Sequence, residues 1–280
     1  MPKLLKFLAF DTSTDRMSIA VTDGVRVWQH SGPGGAQASS TLIPAILALL
    51  AEAGLALGEL DAIVFGRGPG SFTGLRTACA VAQGLAFGAN HGAGLPVLPI
   101  DTLMAVAEEA RHQAVQAAAL EAANPAAGVV TADGSAFIIT ALLDARMDEM
   151  YVQRYAFDQG QWSALTECAL IRPENLALDP ATRLWAGNVF GVYASRLPAG
   201  LAALAPREVL PTATALLRLA PQWAAAGHCV AAALALPLYV RDKVALTTEE
   251  RAQVKAGAAL AGVTAAPVAA GPAVSAGRVR

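Results

Sequence analysis

The chain has 280 residues, enough for one large domain or two smaller ones. It is 55% hydrophobic and 15% charged, a composition that excludes a largely disordered chain. Its net charge of −2 shows no excess of basic residues of the kind expected in a protein that binds nucleic acid without a partner. No apolar run reaches the roughly 18 residues of a membrane span, and the run after Lys3 and Lys6 is too short for a signal peptide, so we expect a cytoplasmic protein with no membrane association.

The first hundred residues alternate strand and helix patterns. Asp23 and Gly24 separate two apolar runs and predict a two-residue hairpin turn. Gly54 is expected to end the first helix and Asp101 to cap the third. The patterns predict strands over 4–10, 17–21, 25–28, 61–65 and 96–100. They predict helices over 41–53, 71–88 and 101–123.

A second strand-rich region follows a predicted linker at 124–134. It has predicted strands over 137–142, 150–155, 161–171 and 183–186 and a predicted helix over 211–226. Residues 256–280 are almost entirely small or proline, which predicts a disordered tail. The order of elements indicates an α/β fold with mixed sheets flanked by helices, in two units in tandem.

A glycine-rich loop, from Gly66 to Arg76, follows the predicted strand 61–65. It has no lysine for a P-loop, and the spacing of Gly68, Gly70 and Gly74 departs from the dinucleotide fingerprint. Two interpretations stay open: a phosphate-binding loop through Gly68, Gly70 and Ser71, or a tight turn whose glycines allow close packing. The chemistry favours the tight turn.

The end of the first strand, Asp11-Thr12-Ser13, also has two interpretations. An acidic residue followed by hydroxyl residues can hold a metal-bound phosphate, with the carboxylate acting through magnesium-bound water. The same residues can form an Asx-turn that starts a hairpin, which is the favoured interpretation.

No other motif predicts catalysis or metal binding. The four histidines are not paired at helical spacing, and the three cysteines, which form no CxxC pair, are expected to be small core residues. Asp144, Arg146, Asp148 and Glu149 are predicted to form a charged hairpin turn with local ion pairs.

Four segments, in order, resemble the TsaB (YeaZ) family. The most specific is Gly66-Arg67-Gly68-Pro69-Gly70-Ser71-Phe72-Thr73-Gly74-Leu75-Arg76. The others are Leu8-Ala9-Phe10-Asp11-Thr12-Ser13-Thr14, Asp144-Ala145-Arg146-Met147-Asp148-Glu149-Met150-Tyr151 and Pro237-Leu238-Tyr239-Val240-Arg241-Asp242-Lys243-Val244-Ala245. Together they cover residues 4 to about 251, and only the tail is unaccounted for.

The resemblance implies two RNase H-like halves of the actin, Hsp70 and sugar kinase type. We expect the first half at 1–105 and a reduced second half at 106–245, with helix 211–226 packing back on the first. The implied role is that of a non-catalytic subunit in making N6-threonylcarbamoyladenosine at position 37 of ANN-decoding tRNAs.

The implied partners are homologues of the transferase subunit TsaD and the ATPase TsaE, with tRNA reached only through the complex and a homodimer formed when the chain is alone. This chain would need no cofactor, and ATP and a metal are expected on TsaD.

Two departures from related patterns bear on that role. The metal-binding paralogue has a histidine pair after the strand corresponding to 96–100, where this chain has Asp101-Thr102-Leu103-Met104. Many family members have histidine and glutamate where this chain has Ala38 and Ser40. The first departure is consistent with a chain that binds no metal.

Small residues among large apolar ones on the first two helices predict a partner or dimer interface of four-helix-bundle type. The residues assigned to it are Leu42, Ile46, Leu49, Leu75, Arg76, Cys79, Ala80 and Gln83. The alternative is that some of them belong to the core.

Two enzymatic alternatives remain open. An ATP-dependent small-molecule kinase of the same superfamily would use Asp11 and the glycine loop. A metalloprotease would need a metal-ligand pair that is not visible in the sequence.

Overall fold

Two mixed β-sheets organise the residues that the computed structural model describes, which are 3–89, 94–122 and 136–241. The predicted linker 124–134 and tail 256–280 lie outside these residues. No helix within the described ranges is both long and apolar enough to cross a bilayer.

The first sheet is built from β1 (Phe7–Asp11), β2 (Arg16–Thr22), β3 (Val27–Pro33), β4 (Ala62–Gly68) and β5 (Val97–Asp101). Its strand order is β3-β2-β1-β4-β5, with β1 antiparallel to β2 and parallel to β4. The helices of this region are α1 (Ala38–Ala53), α2 (Phe72–Gly88) and α3 (Thr102–Ala122). Gly54 ends α1 in a left-handed conformation (φ 67°), as predicted.

The second sheet is built from β6 (Phe137–Arg146), β7 (Glu149–Asp158), β8 (Gln161–Ala164), β9 (Ala169–Ile171), β10 (Leu184–Gly187) and β11 (Arg207–Glu208), followed by α4 (Ala213–Ala225). The strand order is β11-β10-β6-β7-β8, and β9 also pairs with β7. The two mixed sheets with flanking helices are the α/β architecture that the pattern predicts.

Helices cover both faces of the first sheet, which explains its continuous apolar strands. Along β1, Phe7 and Ala9 point into the core shared with α3 and α4. Leu8 and Phe10 alternate with them and point into the core under α1 and α2. The order of layers is therefore α1 and α2, first sheet, α3 and α4, second sheet.

Helix α4 returns from the second sheet to the first and packs against β1 and β2. The backbone N–H of Ala213, at its start, donates to Ser18 Oγ at 2.8 Å. Glu108 on α3 is 2% exposed. Its carboxylate accepts hydrogen bonds from Arg111 and Arg218 and, at 3.1 Å, from Nε1 of Trp162. A buried anion with three donors thus joins α3, α4 and β8.

Two local predictions are wrong. The β2–β3 connection spans residues 23–26 rather than two residues, because Asp23 Oδ1 accepts hydrogen bonds from the N–H groups of Val25 and Arg26 and forms a wider turn. The predicted strand 161–171 is two strands, β8 and β9, which pair with different parts of β7.

Candidate functional site

The turn after β1 is closed around the carboxylate of Asp11. Asp11, Thr12 and Ser13 are 0%, 0% and 3% exposed. Asp11 Oδ1 accepts hydrogen bonds from the Ser13 N–H at 2.8 Å and Ser13 Oγ at 2.6 Å, and Oδ2 accepts one from Thr102 Oγ1 at 3.3 Å. This is the Asx-turn of the favoured interpretation, and it leaves no carboxylate oxygen at the surface.

Burial raises the pKa of Asp11 above its ordinary value, and the hydrogen bonds from Ser13 and Thr102 offset only part of that rise. A carboxyl group in this setting favours its protonated form more than an exposed aspartate does. An aspartate that holds magnesium-bound water needs its anionic form and access to solvent.

The glycine-rich loop packs directly on this turn. A Cβ at Gly66 would overlap Asp11 Oδ2, and a Cβ at Gly74 would overlap the carbonyl oxygen of Thr12. The Ser71 N–H donates to the Ser13 carbonyl at 2.8 Å, and Thr12 Oγ1 donates to the Gly74 carbonyl at 2.7 Å. The structure thus supports the close-packing interpretation of the loop.

Gly68 and Gly70 also have packing roles. Gly68 has φ +120°, and a Cβ there would lie 2.6 Å from the Leu238 carbonyl oxygen. At Gly70 a Cβ would lie 2.6 Å from the Ser13 Cβ. The side of each glycine on which a Cβ would stand is therefore packed against the chain's own atoms.

Sequence reasoning missed Thr102 and the ion pair of Asp101, which stands directly before α3 as predicted. Thr102 Oγ1 donates to Asp11 and accepts from the Gly68 N–H at 3.2 Å, so it joins the two loops. Asp101, predicted as a helix cap, forms an ion pair with Arg67 at 2.5 Å. A hydroxyl residue directly after a strand carries no distinctive sequence signal, so nothing in the pattern singled out Thr102.

Residues 231–240, which we call the strap, lie along α2. The Ala235 carbonyl accepts hydrogen bonds from Cys79 Sγ at 3.1 Å and Gln83 Nε2 at 2.9 Å. The Leu238 N–H donates to the Arg67 carbonyl at 2.7 Å. The strap thus fixes α2 and the glycine loop together.

The structure corrects most of the predicted interface residues on α1 and α2. Five of them are buried in this chain's own cores, where they stabilise the helices but cannot reach a partner: Leu42, Ile46, Leu49, Leu75 and Cys79. Gln83 is half-buried under the strap. Arg76 and Ala80 are exposed.

A different set of apolar residues forms the outer face of these helices. We define the outer face as Ile43 and Leu47 on α1 with Ala80, Gly84 and Phe87 on α2. Ile43, Leu47 and Phe87 are 43%, 52% and 56% exposed, and a Cβ at Gly84 would meet no atom within 4 Å. Ile43 and Leu47 lie one turn apart, outside the buried stripe of α1, but the sequence does not show which of the two apolar stripes is exposed.

The hairpin turn between β6 and β7 forms one local ion pair, as its charge pattern predicts, and two ion pairs to residues distant in sequence. Arg146 Nη2 contacts Asp15 Oδ2 at 2.6 Å, and Arg146 Nη1 lies 3.3 Å from Asp144 Oδ2. Asp148 pairs with Arg196 at 2.7 Å. Among the described residues, no group of three or more His, Cys, Asp or Glu side chains is arranged to hold a metal ion.

A matched pair of glycine substitutions on α2 tests the packing of the loop. Gly74→Ala should lower the free energy of unfolding by at least about 2 kcal/mol, because the added Cβ overlaps the Thr12 carbonyl. Gly84→Ala should raise it by about 0.5–1 kcal/mol, because the site is open and alanine favours the helix. Urea unfolding of both variants measures the difference, and equal effects would contradict the described packing.

The burial of Asp11 predicts a pH dependence with a definite sign. Because its pKa is raised in the fold, the folded chain keeps a proton that the unfolded chain loses, so this group lowers the free energy of unfolding as pH rises above about 4. Asp11→Asn removes that loss, so its stability relative to wild type should increase between about pH 4 and pH 7. Urea unfolding across this range is the measurement.

Asp61→Asn is the control of opposite sign. Partial burial raises the Asp61 pKa, but the hydrogen bonds from Lys3 and the Lys6 N–H outweigh burial and lower it. Its carboxylate therefore adds stability that is lost as pH falls through its lowered pKa. The asparagine variant should accordingly become less stable relative to wild type as pH rises. Parallel pH profiles for wild type and Asp11→Asn would contradict a raised pKa of Asp11 in the fold.

Comparisons with known proteins agree with this architecture. The family model described as "TsaD: tRNA N6-adenosine threonylcarbamoyltransferase" matches residues 33–184. The chain is 31% identical to the tRNA threonylcarbamoyladenosine biosynthesis protein TsaB of Escherichia coli (strain K12), over 86% of this chain and 96% of that protein. It is 32% identical to the protein of the same name from Haemophilus influenzae, over 86% and 95%.

A solved structure gives the same result. YeaZ from Pseudomonas aeruginosa is 35% identical, with a TM-score of 0.68, and the match covers 84% of this chain and all of that one. Since two relatives above 30% identity match over almost their whole length, the chain belongs to the TsaB (YeaZ) family.

Proposed function

We propose that this chain is a non-catalytic subunit of the assembly that transfers threonylcarbamoyl to N6 of adenosine 37 in ANN-decoding tRNAs. It acts by binding and supporting the transferase subunit TsaD, together with the ATPase TsaE. The family supports the pathway. The observation that carries the non-catalytic role is the closed turn around Asp11.

The glycine loop supports that role because its glycines pack closely against other residues of the same chain. In the kinase alternative, Asp11 and the loop would together hold magnesium and phosphate. Here Asp11 is 0% exposed and the loop glycines contact Asp11, Thr12, Ser13 and Leu238. This packing argues against the kinase alternative.

The outer face of α1 and α2 supports a scaffold role. Glu52 and Arg76 are the only charged residues on these two helices. Both helices cover the same face of the first sheet and contact each other, so their outward residues form one nearly uncharged surface. A surface of small and apolar residues suits close helix packing against a partner.

In this proposal TsaD, or a second copy when the chain is alone, packs on the outer face. ATP and a metal ion are bound by TsaD rather than by this chain, and tRNA is reached only through the complex. The complex works in the cytoplasm.

The pathway is tested in cells. Depletion of this protein should lower the threonylcarbamoyladenosine content of bulk tRNA, measured by mass spectrometry, and re-expression should restore it. An unchanged content on depletion would overturn the proposed function. ATP turnover by the purified chain with small-molecule acceptors would then test the kinase alternative.

The outer face is tested by Ala80→Glu. A carboxylate at this exposed helix position should weaken binding to the TsaD homologue at least about tenfold, because its charge would be removed from water in an apolar interface. Circular dichroism and the unfolding midpoint should stay close to wild type. Val115→Glu on α3, where valine is 54% exposed, is the matched control and should bind normally. A folded Ala80→Glu protein with unchanged affinity would remove the outer face from the proposal.

A further inference from the structure

Arg76 is an exposed arginine that is held in place without an acidic partner. Its guanidinium carbon lies 3.8 Å from the centroid of the Phe72 ring, one helical turn earlier on α2. Its Nε donates to Tyr239 Oη of the strap at 3.2 Å, and the Phe72 and Tyr239 rings lie 5.3 Å apart. We call these three side chains the Arg76 clamp.

The clamp leaves its strongest donors unused. Within the described part of the chain, no carboxylate lies within ion-pair distance of Arg76, and neither terminal guanidinium nitrogen has a hydrogen-bond partner. Tyr239 Oη accepts from Arg76, so its own hydrogen remains available to donate. The two terminal guanidinium nitrogens and the phenol hydrogen are therefore available as donors for one anion.

The other arginines that stack on aromatic rings in the described residues pair with carboxylates. Arg26 is also exposed and stacked on an aromatic ring, at 4.8 Å from the Trp28 centroid, but it pairs with Asp23 at 3.2 Å. Arg76 has the same aromatic support and lacks the internal anion. Holding a guanidinium in one geometry costs conformational entropy. Because Arg76 is already held in the free chain, an anion would bind it with a smaller loss of entropy.

The surroundings favour a protein carboxylate over a phosphate. Arg76 is the only basic residue on α1 and α2, whereas phosphate-binding surfaces for nucleic acid gather several. The neighbouring strap exposes apolar residues, with Leu234, Leu236 and Tyr239 at 67%, 65% and 45%. An apolar patch with one central arginine and tyrosine has the composition of a protein–protein hot spot.

We propose that the Arg76 clamp binds a single aspartate or glutamate side chain of the TsaD partner, and that Phe72 and Tyr239 position the guanidinium for it. This rests on the proposed function, and it extends the partner surface from the outer face to the strap. The complementary surface is apolar with one carboxylate at its centre.

The experiment titrates the purified full-length chain with the TsaD homologue of the same organism, by calorimetry, at low and high salt. Arg76→Gln should weaken binding at least about tenfold and flatten the salt dependence, because the charge-assisted contact is lost. Tyr239→Phe should weaken it by a smaller factor, because the guanidinium charge stays and only a positioning bond and one neutral donor are lost. Arg26→Gln is the matched control and should bind as wild type.

A charge exchange identifies the partner residue. Arg76→Glu should abolish binding, and one Asp→Arg or Glu→Arg substitution in the TsaD homologue should restore it. Restoration by a single substitution supports the proposal directly. If no single substitution restores binding, the assignment to one carboxylate is wrong.

The failures are distinguishable. If the wild-type chain does not bind the TsaD homologue, both the proposed function and the assignment of the Arg76 clamp are overturned. If wild type binds and Arg76→Gln binds equally, only the Arg76 clamp is overturned. Pyrophosphate is the probe for a phosphate ligand. If it binds the isolated chain with a submillimolar Kd and Arg76→Gln abolishes that binding, the clamp binds a phosphate instead of a carboxylate.

Discussion

Contact between the turn after β1 and the glycine loop after β4 sets the geometry of the first half of the molecule. Asp11 is held by Ser13 and Thr102, and the loop glycines approach Asp11 and the two residues after it so closely that a Cβ would not fit. Because α2 starts directly from this loop, its position on the sheet follows from that contact. The strap then binds both the loop and α2. The surface we assign to a partner thus depends on a contact buried beneath it.

Helices α1 and α2 are apolar on both their inward and their outward sides, and the two sides have different roles. Inward residues such as Leu42 and Ile46 complete the core, and outward residues such as Ile43 and Leu47 remain at the surface. A surface helix of a globular protein usually carries charged and polar residues on its outward side. The near absence of charge on α1 and α2 is the feature on which the proposed partner surface rests.

The order of strands and helices could be predicted because apolar runs, glycines and prolines mark their ends clearly. The Asx-turn at Asp11 and the packing role of the glycines were also among the alternatives that residue chemistry raised. Which side of α1 faces outward could not be predicted, because both sides are apolar and burial depends on tertiary packing. Thr102 could not be found either, since its role depends on two loops meeting in space. The division of 161–171 into two strands likewise depends on pairing with β7.

The return of α4 to the first sheet has a consequence for synthesis on the ribosome. Ser18 and Ala213, which are joined by a hydrogen bond, are 195 residues apart. At a translation rate of about 5–20 residues per second, α4 is synthesised roughly 10–40 seconds after β2. The face of the first sheet that α4 covers stays uncovered by α4 during that interval. Phe7 and Ala9 belong to that face. The nascent chain therefore has a long interval in which a hydrophobic sheet surface lacks its own cover, and in which chaperones have reason to bind it.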